Sequence, residues 1–304
     1  MALNVRIGVN PLSWMNDDLP TLGGDTPLET ALREGKEIGY EGFELGNKFP
    51  SDGPGLKAKL DEFGLVCVSG WYCGYLATDS LAAEIERCDA HMRKLQHNNC
   101  KVVIYGECAG TIQGDQSVAL KRRPQFESDA AWETYGKKLN AFAAHVEATY
   151  GLSLAYHFHT GAYVESGADI EKLMSVTNAS VGLTFDTGHA YFGGVDAPEK
   201  LLERYVHRVK HVHCKDIRGA VMQRARDEDW SFLDAVLGGA FTVPGDGVVN
   251  FPAVVDVLSK ANYQGWLVVE AEQDPLKAPS YQYAKMGYDT MKRLVDQANN
   301  TRVS

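Results

Sequence analysis

This chain carries no GxGxxG after a strand-like run, no Walker A loop, no HExxH, no GxSxG and no CxxC pair. Their absence removes, as motifs, the glycine turn of dinucleotide folds, the P-loop, the zincin helix, the hydrolase nucleophile elbow and the zinc ribbon. Long apolar runs are missing too. None approaches the roughly 18 residues that a membrane span requires. The opening MALNVRIGVNPLSW has no basic stretch followed by an apolar one, so the sequence reads as untargeted, cytoplasmic and without a membrane partner. Positive charge is scarce: 30 Lys and Arg face 40 Asp and Glu, a net charge of -10. That balance speaks against nucleic acid as a partner, because phosphate backbones are gripped by basic side chains. The six cysteines, Cys67, Cys73, Cys88, Cys100, Cys108 and Cys214, are dispersed, as reduced thiols are in cytosolic proteins.

What is present is a regular alternation. With 304 residues, 44% hydrophobic and 23% charged, the chain can bury one large core. A (β/α)8 barrel takes on the order of 250 residues, so residues 1–304 read as a single catalytic domain. Short β-branched or apolar runs at 5–9, 42–45, 65–69, 101–105, 152–156, 181–185, 209–213 and 266–270 are each followed by a longer amphipathic stretch. This predicts eight βα units around a parallel sheet. Eight units, together with the missing glycine fingerprint, favour a TIM barrel over a doubly wound sheet. Asp25-Thr26-Pro27 ahead of LETALREGKEI predicts a capped helix start, and Gly39 predicts its end. The strings IGYEGFEL and ANYQGWLVVE repeat an order of helix, Gly, aromatic, Gly and strand, which suits the sharp helix-to-strand turns of a barrel.

The working residues of such barrels lie at the carboxyl ends of the strands. The fifth predicted strand ends on His157 and His159, and the sixth on Asp186 with His189 beyond it. The seventh ends on His213 with Lys215 beyond, and the eighth on Glu270 with Glu272 beyond. A lone His or Asp in such a place ordinarily caps a helix or bonds a turn. Four consecutive strand ends of this kind crowd ionisable groups at a high desolvation cost unless a cation sits among them. Mixed nitrogen and oxygen donors suit Mn, Co, Zn or Fe. The two-residue strand period turns His211 and His213 to one side, and Glu270 and Glu272 likewise, so each pair can supply one ligand and one supporting partner.

These residues resemble the xylose isomerase-like barrels, whose metal is held by Glu, Asp, His and Glu from four strand ends. Asp186, His213 and Glu270 match three of the four. His157 stands where the first Glu is usual, with His159 and Glu165 as alternatives for that ligand. The strings VNPLSW, NDDLPTLGGDTPLE, GFELGNKFP, SGWYCG and VVEAEQDP resemble the inosose dehydratases of that superfamily over nearly the whole chain. The resemblance implies a metal-dependent hydro-lyase of inositol catabolism. It would eliminate water from 2-keto-myo-inositol (scyllo-inosose) to give a trihydroxycyclohexane-dione, with manganese or cobalt as the metal and glutathione as an associated cofactor.

Such an elimination needs a polarised ketone, a base for the neighbouring C–H and an acid for the departing hydroxyl. A divalent metal on His157, Asp186, His213 and Glu270 meets the first need. Glu270, Glu272, His159 and His189 are the acid-base candidates, and His189 is expected to touch substrate. Trp14, Lys48, Trp71, Glu107 and Lys215 are expected to line the pocket for a small keto-polyol. A homo-oligomer stays open. The same metal set would serve a sugar isomerase or 3-epimerase. An abasic-site endonuclease on this barrel is disfavoured by the net charge, and a sugar-binding barrel without catalysis has no need of the metal ligands.

Overall fold

The computed structural model describes residues 3–301, so the first two and last three residues of the expected domain lie outside it. In chain order the first half comprises β1 (Asn4–Val9), α1 (Leu28–Ile38), β2 (Gly42–Phe43), α2 (Gly53–Asp61), β3 (Val66–Cys67), β4 (Trp71–Gly74), α3 (Leu81–His97), β5 (Val102–Glu107) and α4 (Asp129–Tyr150). The second half comprises β6 (Ser153–His157), α5 (Gly167–Val176), β7 (Val181–Asp186), α6 (Thr187–Phe192), α7 (Pro198–Tyr205), β8 (Val209–Cys214), β9 (Asp216–Ile217), α8 (Gly219–Asp227), α9 (Phe232–Leu237), β10 (Phe241–Thr242), α10 (Phe251–Lys260), β11 (Gln264–Val269) and α11 (Ser280–Thr301).

Nine strands pair in the order β3-β2-β1-β11-β8-β7-β6-β5-β4, parallel throughout. The two ends of this order are successive pieces of one barrel position. Leu45 N–H bonds Ser69 O at 3.1 Å and Ile104 N–H bonds Gly70 O at 3.2 Å, so residues 69 and 70 join β2's side to β5's side and close the cylinder. The eight strand positions expected from the sequence are therefore present, with the third one broken. The break arises where the Ser69 hydroxyl bonds Val102 O at 2.7 Å. Beyond it, β4 carries Trp71 across the face of β5. Gly106 makes room for that ring: a Cβ there would lie 1.9 Å from the indole.

Outside the sheet, α1 packs on α11, α2 on α3, α3 on α4, α4 on α5, α7 on α10 and α10 on α11. Their apolar stripes cover the strands, as expected of amphipathic helices around a barrel. One helix boundary differs from the reading of the sequence. Pro27 occupies the cap position of α1 and no side chain caps it, so Asp25 and Thr26 do not have the role assigned to them; Gly39 ends the helix at φ 121° as anticipated.

A second difference lies after β8. There α8, α9 and the antiparallel pair β9/β10 gather Phe192, Ile217, Met222, Phe232 and Phe241 into a separate apolar cluster. No helix among the described residues is long and apolar enough to cross a membrane, and all six cysteines are free thiols.

Candidate metal centre and acid-base site

The motif FDTGH shows how local sequence builds the centre. Asp186 ends β7 and caps α6, its Oδ1 accepting from His189 N–H at 2.8 Å, which leaves Oδ2 facing inward. The Thr187 hydroxyl donates to Lys215 O at 2.6 Å, tying this turn to the end of β8. Gly188 leaves space for Lys215 itself, whose Cγ would lie 2.5 Å from a Cβ at that position.

One ligand atom each from His157, Asp186, His213 and Glu270 lies within 4.8 Å of the others, and all four residues are buried. His157 Nε2 is 3.1 Å from His213 Nδ1 and 3.4 Å from Asp186 Oδ2. His213 Nδ1 is 3.5 Å from Asp186 Oδ2 and 2.8 Å from Glu270 Oε2. Neither Asp186 Oδ2 nor Glu270 Oε2 has a hydrogen-bond partner. Two orphaned buried carboxylate oxygens facing two imidazole nitrogens are an expensive arrangement alone and an N2O2 ligand set for a divalent cation. The residues present therefore fit a metal. His157 takes the fourth position. Glu165 instead accepts from Gly161 N–H at 2.6 Å and stands 3.7 Å from Arg123 Nε, while His159 belongs to a neighbouring group with His189 and Glu272.

Glu44, at the end of β2, was not picked out from the sequence. Its Oε1 lies 2.9 Å from His213 Nε2 and 2.6 Å from His211 Nε2, and its Oε2 accepts from Asn10 at 2.8 Å. A proton on His213 Nε2 shared with Glu44 leaves the Nδ1 lone pair directed into the cluster, the usual support for a metal-bound imidazole. The rule that singled out the last four strand ends would have found Glu44 had it been applied to the second. Burial opposes a charge on His213, but Glu270 and Glu44 outweigh it and hold the imidazole well above its usual pKa.

Two measurable consequences follow from this contact. Glu44→Gln should weaken metal binding by about 10- to 100-fold, read by competition with a chromophoric chelator. Because a metal must displace the proton that His213 retains without one, affinity should fall about tenfold per unit of acidification where that proton is bound. A flat profile between pH 8 and 6 would contradict the assignment.

Beside the cluster, Lys215 is fully buried. Its ammonium lies 2.8 Å from Glu272 Oε1, 2.9 Å from Glu270 Oε1, 3.5 Å from Asp186 Oδ2 and 2.9 Å from His189 Nε2. Burial disfavours the charge, yet these three carboxylates raise the Lys215 pKa above its ordinary value. The Thr160 backbone N–H donates to His189 Nδ1 at 3.2 Å, with the Thr160 hydroxyl 2.9 Å from the same nitrogen, while His189 Nε2 is the atom that faces the ammonium. Burial, then Lys215, keep His189 neutral. Burial, then His189 and His157, do the same for His159, whose Nδ1 bonds Thr160 O at 2.7 Å. Phe232 lies 5.0 Å from the His159 ring and Phe241 5.4 Å from the His189 ring, so the apolar insertion after β8 walls this side of the centre.

A cavity of about 420 Å³ opens onto the centre, and Asp17, Asp18, Trp71, Gln113, His159, His213, Glu270 and Glu272 are among its lining. Trp71 stands edge-on to His157 at 5.2 Å. Other expected pocket residues lie elsewhere. Trp14 is buried, its Nε1–H bonding Glu34 at 2.6 Å, because it packs α1 on the barrel. Lys48 spends its ammonium on the carbonyls of Gly24 and Thr26, each at 2.7 Å, and so pins the loop after β1. Glu107 is buried behind the wall, bonded by the hydroxyls of Tyr135 and Tyr105, and burial pushes its carboxyl up to about 7. Lys215 and His189 lie beneath the carboxylates and are not among the cavity-lining residues.

The geometry defines a class: a TIM barrel with a divalent-metal ligand set at four adjacent strand ends and ionisable groups beside it. The chain belongs to the xylose isomerase-like TIM barrel family, whose pattern matches residues 32–294, and the fold class expected from the sequence is the one found. It is 45% identical to the rhizopine catabolism protein MocC of Rhizobium meliloti over 97% of this chain and 90% of that protein. It is 39% identical to an inosose dehydratase of Mesomycoplasma hyopneumoniae over 96% and 97% of the respective chains. A solved structure of an IolI protein with a zinc atom bound aligns with a TM-score of 0.65 at 15% identity, covering 97% of this chain and 99% of that one, a likeness of fold.

Proposed function

We propose that this protein is a cytoplasmic hydro-lyase that eliminates water from 2-keto-myo-inositol (scyllo-inosose), giving a trihydroxycyclohexane-dione through an enediolate. The observation that carries the reading is the full-length relationship to inosose dehydratases at about 40% identity. The site holds the groups such a reaction uses. The cavity volume suits a six-carbon polyol.

A divalent cation on His157, Asp186, His213 and Glu270 would polarise the substrate ketone, and manganese or cobalt suits this mixed donor set. Glu272 is the base we assign to the neighbouring C–H. Its Oε2 is unpartnered, it lines the cavity, and its other oxygen is held by the Lys215 ammonium at 2.8 Å, which leaves Oε2 free to face the substrate. Neutral His159 offers its Nε2 to a substrate hydroxyl. Trp71 and the phenylalanines of the insertion set apolar walls against the three imidazoles, and a low-dielectric wall strengthens the charge interactions beside it.

The test is metal-depleted protein reloaded with Mn or Co and given scyllo-inosose, with and without glutathione. Growth of the ultraviolet absorption of the dicarbonyl is the expected result. Conversion to an epimer without that absorption would make the protein an isomerase or epimerase, and a protein that binds no divalent metal would overturn the centre itself.

A further inference from the structure

Elimination requires two proton transfers at two different carbons, and the strand-end groups account for one. Five carboxyl side chains line the cavity: Asp17, Asp18, Glu44, Glu270 and Glu272. Four are committed. Asp17 accepts the Asn47 N–H with both oxygens, at 3.1 and 3.2 Å. Glu44 is held by His211 and His213, Glu270 belongs to the ligand set, and Glu272 is held by Lys215.

Asp18 alone faces the cavity with no stronger partner than the Gln113 amide, 3.4 Å from its Oδ1. It hangs from the loop after β1. That loop is not slack: Asn16 Oδ1 accepts from the backbone N–H of both Asp18 and Leu19 at 2.8 Å, and Asn16 N–H bonds Leu22 O at 3.0 Å. Of the two carboxyl groups this loop brings to the cavity from β1's side of the barrel, Asp17 is tied to Asn47 and Asp18 is not, whereas Glu272 follows β11.

We infer that Asp18 is the general acid that protonates the departing hydroxyl, an assignment that rests on the dehydratase reading above. In the balanced step, Glu272 takes the proton from the carbon next to the ketone, and the C–H electron pair forms the enediolate. That pair then makes the new C=C as the C–O bond to the next carbon breaks, and the hydroxyl leaves as water with Asp18's proton. The hydroxy-enone tautomerises to the dione, and the proton on Glu272 returns to Asp18 through cavity water. Burial, and after it the charge of Glu272, push the Asp18 carboxyl up to about 6, so a protonated fraction is on hand near neutral pH.

The test compares the metal-loaded wild type with Asp18→Asn on scyllo-inosose in D2O, reading dione formation and deuterium entry into recovered ketone. A general acid contributes about 100-fold or more. Asp18→Asn should therefore lose elimination by at least that factor while keeping bound metal, melting temperature and exchange at the carbon next to the ketone. Asp18→Glu should regain part of the lost rate. Elimination by Asp18→Asn within about threefold of wild type would overturn the assignment, as would an equal loss of exchange and elimination in a folded, metal-loaded variant. If the wild type forms no dione at all, the dehydratase reading fails and takes this assignment with it.

Discussion

Asp186→Asn is expected to leave a folded barrel that binds metal poorly and turns over about a thousandfold more slowly. The two oxygens of Asp186 have separate duties. Oδ1 caps α6 by accepting His189 N–H at 2.8 Å, and Oδ2 stands unpartnered, 3.4 Å from His157 Nε2 and 3.5 Å from His213 Nδ1. Asparagine is as good a cap as aspartate, so the amide keeps the helix start while removing the negative charge from the ligand set. Metal polarisation of a carbonyl supplies several kcal/mol of transition-state stabilisation, and about 4 kcal/mol is a thousandfold in rate. Asp186→Ala removes both duties and should cost about 1 kcal/mol more in stability through the lost cap. Metal content by elemental analysis, melting temperature and dione formation separate the two effects. Full metal occupancy in Asp186→Asn with wild-type turnover would show that the four-residue cluster is not the reaction centre.

How much of this was legible in the sequence depended on whether the information was local. The strands announce themselves through short apolar runs, and the ligands of β6 to β8 and β11 sit where the strand-end rule looks. The third position was half read, because 65–69 is β-branched while the continuation through Trp71 depends on the Ser69 hydroxyl replacing part of the ladder and on Gly106 yielding space to an indole. Those are contacts between strands, invisible to a one-dimensional pattern.

The misplaced pocket residues have a common cause. Trp14 and Glu107 follow strands as ligands do, but each found a buried partner on another element, Glu34 on α1 and Tyr135 on α4, and turned away from the cavity. Lys48 was spent on loop carbonyls. Glu44 lies in the predicted strand 42–45 without being read as a site residue, and Asp18 stands in a string read as family resemblance. Their roles depend on which side chains face them across the barrel, His211 and His213 for one and Gln113 for the other.

Lys215→Met should destabilise the metal-free protein by about 3–5 kcal/mol, the cost of removing one partner from a buried charge pair. For a chain of this size that is roughly 5–8 °C in melting temperature. Methionine keeps much of the stem that Gly188 accommodates, so the loss is electrostatic rather than a cavity. Without the ammonium, Asp186, Glu270 and Glu272 face one another in a dry pocket walled by Phe241, whose ring lies 5.4 Å from Lys215 Nζ. At least one must take up a proton. If that one is Glu272, the base is lost and turnover falls by about 100-fold or more even with metal present.

Two further measurements identify the cause. A divalent metal should stabilise Lys215→Met by more than it stabilises the wild type, because the cation then answers charges that Lys215 no longer does. Adding Glu272→Gln to Lys215→Met should recover part of the lost stability, since the two side chains are 2.8 Å apart and their effects cannot be independent. A metal-free Lys215→Met protein melting within about 2 °C of wild type would mean that the carboxylates are already neutral around an idle lysine. Glu272 could not then be the ionised base that the elimination needs.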